Sequence, residues 1–167
     1  MDAGELRSLQ APLKEKFRAD PGSALITLHA EGGVGEGVTC SVETGCALVR
    51  AGLHPATGGS GLDVCSGDML LQALVACAGV TLNAVATALG IGLASARVRA
   101  EGDLDFRGTL GIDREAPVGF REIRLRFEVQ SDADETQLEK LLQLTERYCV
   151  VYQTLRGTPE IHVSMQR

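Results

Sequence analysis

The sequence contains no tryptophan, and its aromatic residues are limited to four phenylalanines and two tyrosines. Proteins that bind single-stranded nucleic acid usually stack the bases on aromatic side chains along a basic groove. Here acidic residues outnumber basic ones, 22 against 16, and no cluster of lysine and arginine is interleaved with aromatics. We therefore expect no nucleic acid among the partners of this protein.

The sequence also lacks the common signatures of cofactor binding. Its glycine-rich stretches are without the strand, loop and lysine of a phosphate-binding loop, and no serine lies in a nucleophile elbow. The three histidines, His29, His54 and His162, do not have metal-ligand spacing. The sequence therefore implies no nucleotide, no metal and no other cofactor.

No secretory signal is evident at the N-terminus, because the first 20 residues are charged where a signal needs a continuous apolar segment. We expect a cytoplasmic, reducing location, in which disulfides are transient or catalytic. Only Met69 to Ala96 resembles a membrane span, but Gly90 and Gly92 interrupt it. A buried central helix, with no membrane as partner, is the interpretation we favour.

The length of 167 residues and the hydrophobic content of 44% are typical of a single domain, and the element pattern predicts an α+β fold. A first helix is predicted from Ala3 to Ala19, kinked or divided by Pro12. Strands are predicted at Ala24 to Ala30 and Gly37 to Glu43 around a turn at Glu31 to Gly35, with a third at Cys46 to Ala51.

A long helix should follow, with Ser66 as N-cap and Gly90 as its stop. It is apolar on nearly every face, so we expect sheets on both sides or a partner subunit to bury it. Two strands, Ala94 to Phe106 and Phe120 to Gln130, come next. Asp132 or Asp134 then opens a helix, and the chain closes with a strand at Glu160 to Met165. The predicted stripe of that helix is Leu138, Leu142, Thr145 and Cys149, with Leu141 and Tyr148 beside it.

Three of the five cysteines have ordinary explanations. Cys40 and Cys46 flank a predicted hairpin turn at positions too far apart along the ladder for a disulfide, and we interpret them as half-buried residues. Cys65 precedes the predicted N-cap Ser66, where backbone N–H groups can lower a thiol pKa, but Asp63 and Asp68 oppose a thiolate there.

Cys77 and Cys149 are placed to point inward from two different helices. For Cys77, composition alone favours a small core residue. Cys149 is predicted at a helix C-terminus, where the negative end of the dipole disfavours a thiolate, so it suits a resolving thiol better than a nucleophile. Packing and reactivity both remain open for this pair.

Two frames resemble the OsmC/Ohr family of thiol peroxidases. The first is Gly58-Gly59, then Ser66-Gly-Asp-Met-Leu-Leu-Gln-Ala-Leu-Val-Ala-Cys77, then Leu89-Gly90-Ile91; the second is Arg147-Tyr-Cys149-Val-Val, followed by Leu155-Arg156-Gly157. The resemblance covers roughly Ala24 to Val163. We expect one OsmC-like domain over residues 1–167, with 24–165 as the family core and 1–20 as an added N-terminal helix.

The resemblance implies an OsmC-like α+β fold, with antiparallel sheets around a long central helix, in an intertwined homodimer. It further implies a cysteine peroxidase of oxidative-stress defence, in which Cys77 attacks an organic hydroperoxide and Cys149 resolves the sulfenic acid. An external dithiol is then the reductant. The apolar helix around Cys77 favours alkyl or lipid hydroperoxides over hydrogen peroxide.

The acidic residue near the start of this helix in the family corresponds to Asp68, the third candidate catalytic residue. Nine residues of helix place Asp68 and Cys77 on opposite faces, about 13 Å apart along the axis. We therefore predict that Asp68 approaches Cys77 of the partner subunit, the alternative being an acid that complements the helix dipole.

The sequence departs from the family at two positions. Peroxidase members place an arginine from an early hairpin beside the first cysteine, but Glu31 to Gly35 contains none, and Arg50 is the nearest candidate. Val150 replaces the proline that follows the second cysteine. His54, a loop residue by sequence, could hydrogen-bond in the site. The alternative function is a non-catalytic OsmC-like dimer that binds small molecules or partners.

Overall fold

In this computed structural model, the chain is described at residues 3–34, 40–42, 51–62 and 64–165. Five of its elements are helices: α1 at Ala3–Ala19, α2 at Ser66–Leu89, α3 at Phe106–Thr109, α4 at Glu135–Tyr148 and α5 at Val150–Arg156. The strands are β1 at Leu25–Val34, β2 at Cys40–Val42, β3 at Ala51–Gly52, β4 at Val64–Cys65, β5 at Ser95–Asp105 and β6 at Phe120–Gln130. Short 3-10 turns occupy Pro21–Ala24 and Pro55–Thr57.

An antiparallel sheet in the order β2-β1-β5-β6 forms one layer, and α2 packs against its β1 and β5 strands. This mixed helix and antiparallel sheet arrangement confirms the predicted α+β class. The turn predicted at Glu31 to Gly35 is wrong, because β1 continues through Val34. Gly32 and Gly33 pair there with Val98 and Arg97 of β5, whose 11 residues offer a partner strand along the whole length.

Strand predictions elsewhere had mixed outcomes. The alternating segment Phe120–Gln130 is confirmed as β6, whereas β2 spans only Cys40–Val42 of the predicted 37–43. Most of the third predicted strand lies outside the described residues, and Ala51–Gly52 makes a short parallel pair with Val64–Cys65. The strand predicted at Glu160 to Met165 is wrong, because this segment has no strand partner in the described chain and its side chains are exposed.

Helix α2 has the predicted bounds, and its core face includes Leu71, Leu74, Val75 and Ala78. By length and composition alone it could cross a membrane, yet in this fold it packs against the sheet, α4 and α5. It is not buried on every side within one chain, since Met69 is 36% exposed.

The ends of α2 agree only partly with the sequence. Gly90 adopts the left-handed conformation, φ 69°, that ends the helix as predicted. The N-cap is Cys65 rather than Ser66, with extended backbone angles and no side-chain hydrogen bond to the helix. Ser66 is therefore the first helical residue.

The remaining helices differ in three respects from expectation. Helix α1 is continuous through Pro12, and its Phe17 is buried in the main core. Asp134, not Asp132, caps α4 by a capping box with Gln137. The buried stripe of α4 contains Leu141 and Thr145, while Leu142 is 41% exposed, and α5 was not predicted.

Candidate active site

The structure brings Cys77 and Cys149 together, although 72 positions separate them in the chain. Cys77 lies in the middle of α2 and is half-buried, and Cys149 is 1% exposed at the junction of α4 and α5. The thiol of Cys149 donates a hydrogen bond to the sulfur of Cys77. Two thiols in direct contact are placed to form a disulfide.

Cys149 both ends α4 and begins α5. Its extended backbone, φ −71° and ψ 106°, interrupts the helix, while its N–H still donates to the carbonyl of Thr145 at 2.9 Å. Its Sγ accepts a hydrogen bond from the N–H of Tyr152 at 3.5 Å. The sulfur thus occupies the place of an N-cap oxygen.

The first turn of α5 directs two further donors at the other sulfur. The backbone N–H groups of Val150 and Val151 both hydrogen-bond to Cys77. Because the first N–H groups of a helix have no partner within the helix, they are available for such bonds. The two sulfur atoms together therefore satisfy three backbone donors of α5.

These contacts shift the two thiol pKa values in opposite directions. Burial alone raises the pKa of Cys77, but hydrogen bonds from the Val151 N–H, the Cys149 thiol, the Thr81 hydroxyl and the Val150 N–H outweigh it and lower that pKa overall. For Cys149, burial is the largest effect and raises the pKa to about 11. The proton thus stays on Cys149, and the thiolate forms on Cys77.

The interpretation of Cys77 from sequence missed this help. The sequence places Cys77 far from the ends of its own helix, which suggests that no helix terminus assists it. The donors come instead from α5, and the one residue that breaks the α4 periodicity, Cys149, carries no breaker signal such as glycine or proline. Thr81, one turn after Cys77, was placed on the same helical line but given no role.

Asp68 lies elsewhere in the chain's own fold. It is half-buried in the first turn of α2, and none of the hydrogen bonds to Cys77 comes from it. Its charge acts on His54, whose pKa is lowered by burial, with Asp68 opposing that shift. The approach of Asp68 to the partner subunit remains a prediction.

His54 is a half-buried packing residue at the start of the Pro55–Thr57 turn. Its ring stacks on Phe106 at 5.0 Å between centroids, and its Nδ1 accepts a hydrogen bond from the N–H of Ala56 at 3.0 Å. This environment differs from the exposed loop expected for it.

Other candidate residues contribute less to this site. Cys65 is half-buried at the N-cap of α2. Cys46, Arg50 and Asp63, together with the side chains of His29 and Cys40, lie outside the described residues. In the part of the chain that the structure describes, no group of three or more His, Cys, Asp or Glu residues could hold a metal ion.

A groove of about 650 Å³ runs between β6 and the helices α4 and α5. Its walls are mostly apolar and include Leu74, Ile123, Leu125, Phe127, Tyr152 and Leu155. Leu74 lies one helical turn before Cys77, and Tyr152 lies one turn after Cys149. The groove therefore extends to within one turn of both thiols.

The family model described as OsmC-like protein matches residues 59–164, which is more than half of the chain. The chain belongs to the OsmC-like protein family. Both cysteine frames lie within or at the edge of the matched residues, and α1 lies before them. No curated protein matches this OsmC-like chain significantly in sequence.

Two solved structures share the OsmC-like fold. An OsmC-like protein from Mycoplasma pneumoniae is 19% identical, with a TM-score of 0.56, over 80% of this chain and 86% of that one. An OsmC-like hydroperoxide resistance protein from Jannaschia sp. CCS1 is 14% identical, with a TM-score of 0.62, over 86% of this chain and 95% of that one. At these identities the likeness concerns the fold.

Proposed function

We propose that this OsmC-like protein is a thiol peroxidase that reduces organic hydroperoxides in oxidative-stress defence, with Cys77 as the attacking thiolate and Cys149 as the resolving thiol. The observation that carries the proposal is the contact between two thiols whose pKa values are shifted in opposite directions. A pair of cysteines that merely packed in the core would have no need of five hydrogen bonds around their sulfurs.

The proposed cycle has three balanced steps. The Cys77 thiolate attacks the O–O bond, takes one oxygen as a sulfenic acid and releases an alkoxide, which gains a proton to become the alcohol. The Cys149 sulfur then attacks the sulfenic sulfur, so that a disulfide and water form. An external dithiol reduces this disulfide through a mixed disulfide and is itself oxidised.

The low pKa of Cys77 serves the first step, because only the thiolate is nucleophilic. The high pKa of Cys149 keeps this thiol protonated until Cys77 is oxidised, so that it donates a hydrogen bond instead of repelling the thiolate. The apolar groove beside the pair supports organic hydroperoxides as substrates over hydrogen peroxide.

The assembly and location proposed with this activity are a homodimer in the cytoplasm. In such a dimer, Asp68 of one subunit would approach Cys77 of the partner subunit. The incompletely covered end of α2, where Met69 is 36% and Leu70 39% exposed, supports a partner surface there.

Intact-mass analysis after one equivalent of cumene hydroperoxide tests the proposal. We expect wild type to lose two hydrogen atoms as Cys77 and Cys149 form a disulfide. Cys149→Ser should instead gain one oxygen atom, held as a sulfenic acid that a dimedone reagent captures. Cys77→Ser should remain unchanged in mass.

Cys65→Ser is the matched control, because Cys65 is also a half-buried free thiol of α2. This variant should form the disulfide as wild type does. An unoxidised wild type, or oxidation that persists in Cys77→Ser, would contradict the peroxidase proposal and favour a non-catalytic binding dimer.

A further inference from the structure

The apolar groove between β6 and α5 is bordered by two arginines that make no ion pair within the described residues. Arg121 follows the first residue of β6, and Arg156 ends α5; both side chains are exposed. The charge of Arg121 is felt by Asp103 and Asp105, but neither carboxylate lies within ion-pair distance of it.

The neighbouring arginine of the same strand behaves differently. Arg124 is held by two hydrogen bonds to Asp103, at 2.6 and 2.9 Å, and also contacts Glu101 and Glu122. Its charge is therefore neutralised within the sheet. In a protein of net charge −6, two guanidinium groups left without a carboxylate beside an apolar groove indicate a site for an anion.

Two glutamates also line this groove. Glu122 is paired with Arg124 at 3.4 Å, so it does not offset Arg121. Glu146 of α4 makes no ion pair in the described chain, and only its backbone carbonyl is engaged, by the side chain of Gln153. The groove therefore offers two available positive charges against one available negative charge.

We propose that Arg121 and Arg156 determine substrate specificity by binding the carboxylate of an anionic amphipathic hydroperoxide, whose apolar chain occupies the groove. This inference rests on the proposed peroxidase function. The ends of α5 set the size of the ligand: Val150 donates to the Cys77 sulfur, and Arg156 lies six residues further, about 9 Å along the helix axis. The hydroperoxide and the carboxylate should be separated by a comparable length of hydrocarbon.

Linoleic acid hydroperoxide and its methyl ester form the test pair, because they differ only in the charge of the head group. For wild type we expect a KM roughly tenfold lower for the acid than for the ester, the order of a charge-assisted hydrogen bond. Arg121→Gln and Arg156→Gln should each reduce this preference, and the double variant should abolish it with kcat for the ester unchanged. Glu146→Gln should strengthen it.

Arg114→Gln is the matched control, because Arg114 is exposed but does not line the groove. Binding of decanoate, compared with methyl decanoate, by calorimetry gives a second readout that needs no turnover. Equal KM values for acid and ester in wild type, or a preference that survives the double variant or is lost in Arg114→Gln, would overturn the specificity proposal. If neither substrate is turned over while decanoate still binds through the two arginines, the peroxidase function fails and the anion site stands.

Discussion

At the residue scale, neutral hydrogen-bond donors surround the Cys77 sulfur in the part of the chain that the structure describes. They are two backbone N–H groups, one hydroxyl and one thiol. Each neutral donor stabilises a thiolate less than a guanidinium would, but several together achieve a net lowering of the pKa against the effect of burial. Activation of Cys77 therefore depends on geometry that α2 and α5 must both maintain.

Thr81→Val removes one of these donors with almost no change in volume. The thiolate loses a hydrogen bond and the neutral thiol does not, so the pKa of Cys77 should rise. We expect the midpoint of its alkylation by iodoacetamide to move to higher pH, and peroxide consumption at pH 7 to fall roughly tenfold. Thr81→Ser keeps the hydroxyl and should behave as wild type. An unchanged alkylation profile in the valine variant would exclude this role for Thr81.

At the element scale, α4 and α5 show where sequence reasoning succeeds and where it fails. The start of α4 was narrowed to Asp132 or Asp134, because acids in a first turn and a later stripe are local signals. The break at Cys149 was missed, because the residue continues the inward stripe through Thr145 and only its backbone departs from the helix. The donors to Cys77 depend on that break, so no local pattern could reveal them.

The capping box of α4 predicts a difference between two neighbouring aspartates. Asp134→Ala removes the hydrogen bond from the Gln137 N–H, which is 2.8 Å long, and should lower the free energy of unfolding by about 1 kcal/mol. Asp132→Ala, at an exposed position without a cap, should change it by less than about 0.5 kcal/mol. Urea unfolding of both variants measures the difference, and equal losses would argue against Asp134 as the cap.

The outer face of the sheet predicts a dependence of stability on pH. Hydrogen bonds from Arg124 and Thr27 hold the pKa of Asp103 well below its ordinary range. A carboxylate with a depressed folded pKa stabilises the fold above its unfolded pKa, roughly 4, and this contribution is lost as the pH falls further. Asp103→Asn should be less stable than wild type at pH 7, with a smaller loss of stability between pH 5 and pH 2.

Urea midpoints measured across this pH range provide the comparison. Glu139→Gln, a charge change at an exposed position of α4, should leave the profile of wild type intact. Parallel profiles for wild type and Asp103→Asn would contradict the assignment.

At the scale of the whole molecule, the sequence predicts elements better than it predicts their meetings. The alternation in β6 and the apolar length of α2 are properties of single segments, so their bounds could be predicted closely. The contact of Cys77 with Cys149 joins segments 72 positions apart, and only the resemblance to a family suggested it. The strand predicted at the C-terminus has the right alternation, but a strand also requires a neighbour.

That C-terminal segment carries a prediction about the proposed homodimer. Ile161, Val163 and Met165 are 79%, 92% and 90% exposed, and they alternate along the chain. If the second subunit covers them, the double substitution Ile161→Thr with Val163→Thr should raise the dimer dissociation constant at least roughly tenfold. Glu160→Gln with His162→Gln, on the alternate positions, should not. Sedimentation analysis decides, and a dimer indifferent to the apolar pair would contradict this placement.

The position of Cys149 between two helices has a further consequence for the oxidised protein. A bond from Cys77 to this junction closes a loop of about 70 residues, which removes conformational freedom from the unfolded chain worth about 4 kcal/mol. Peroxide would then leave the fold more resistant to heat than the reduced form. Each catalytic cycle would alternate between a tighter and a looser molecule, so thermal unfolding would report the redox state of the cysteines directly.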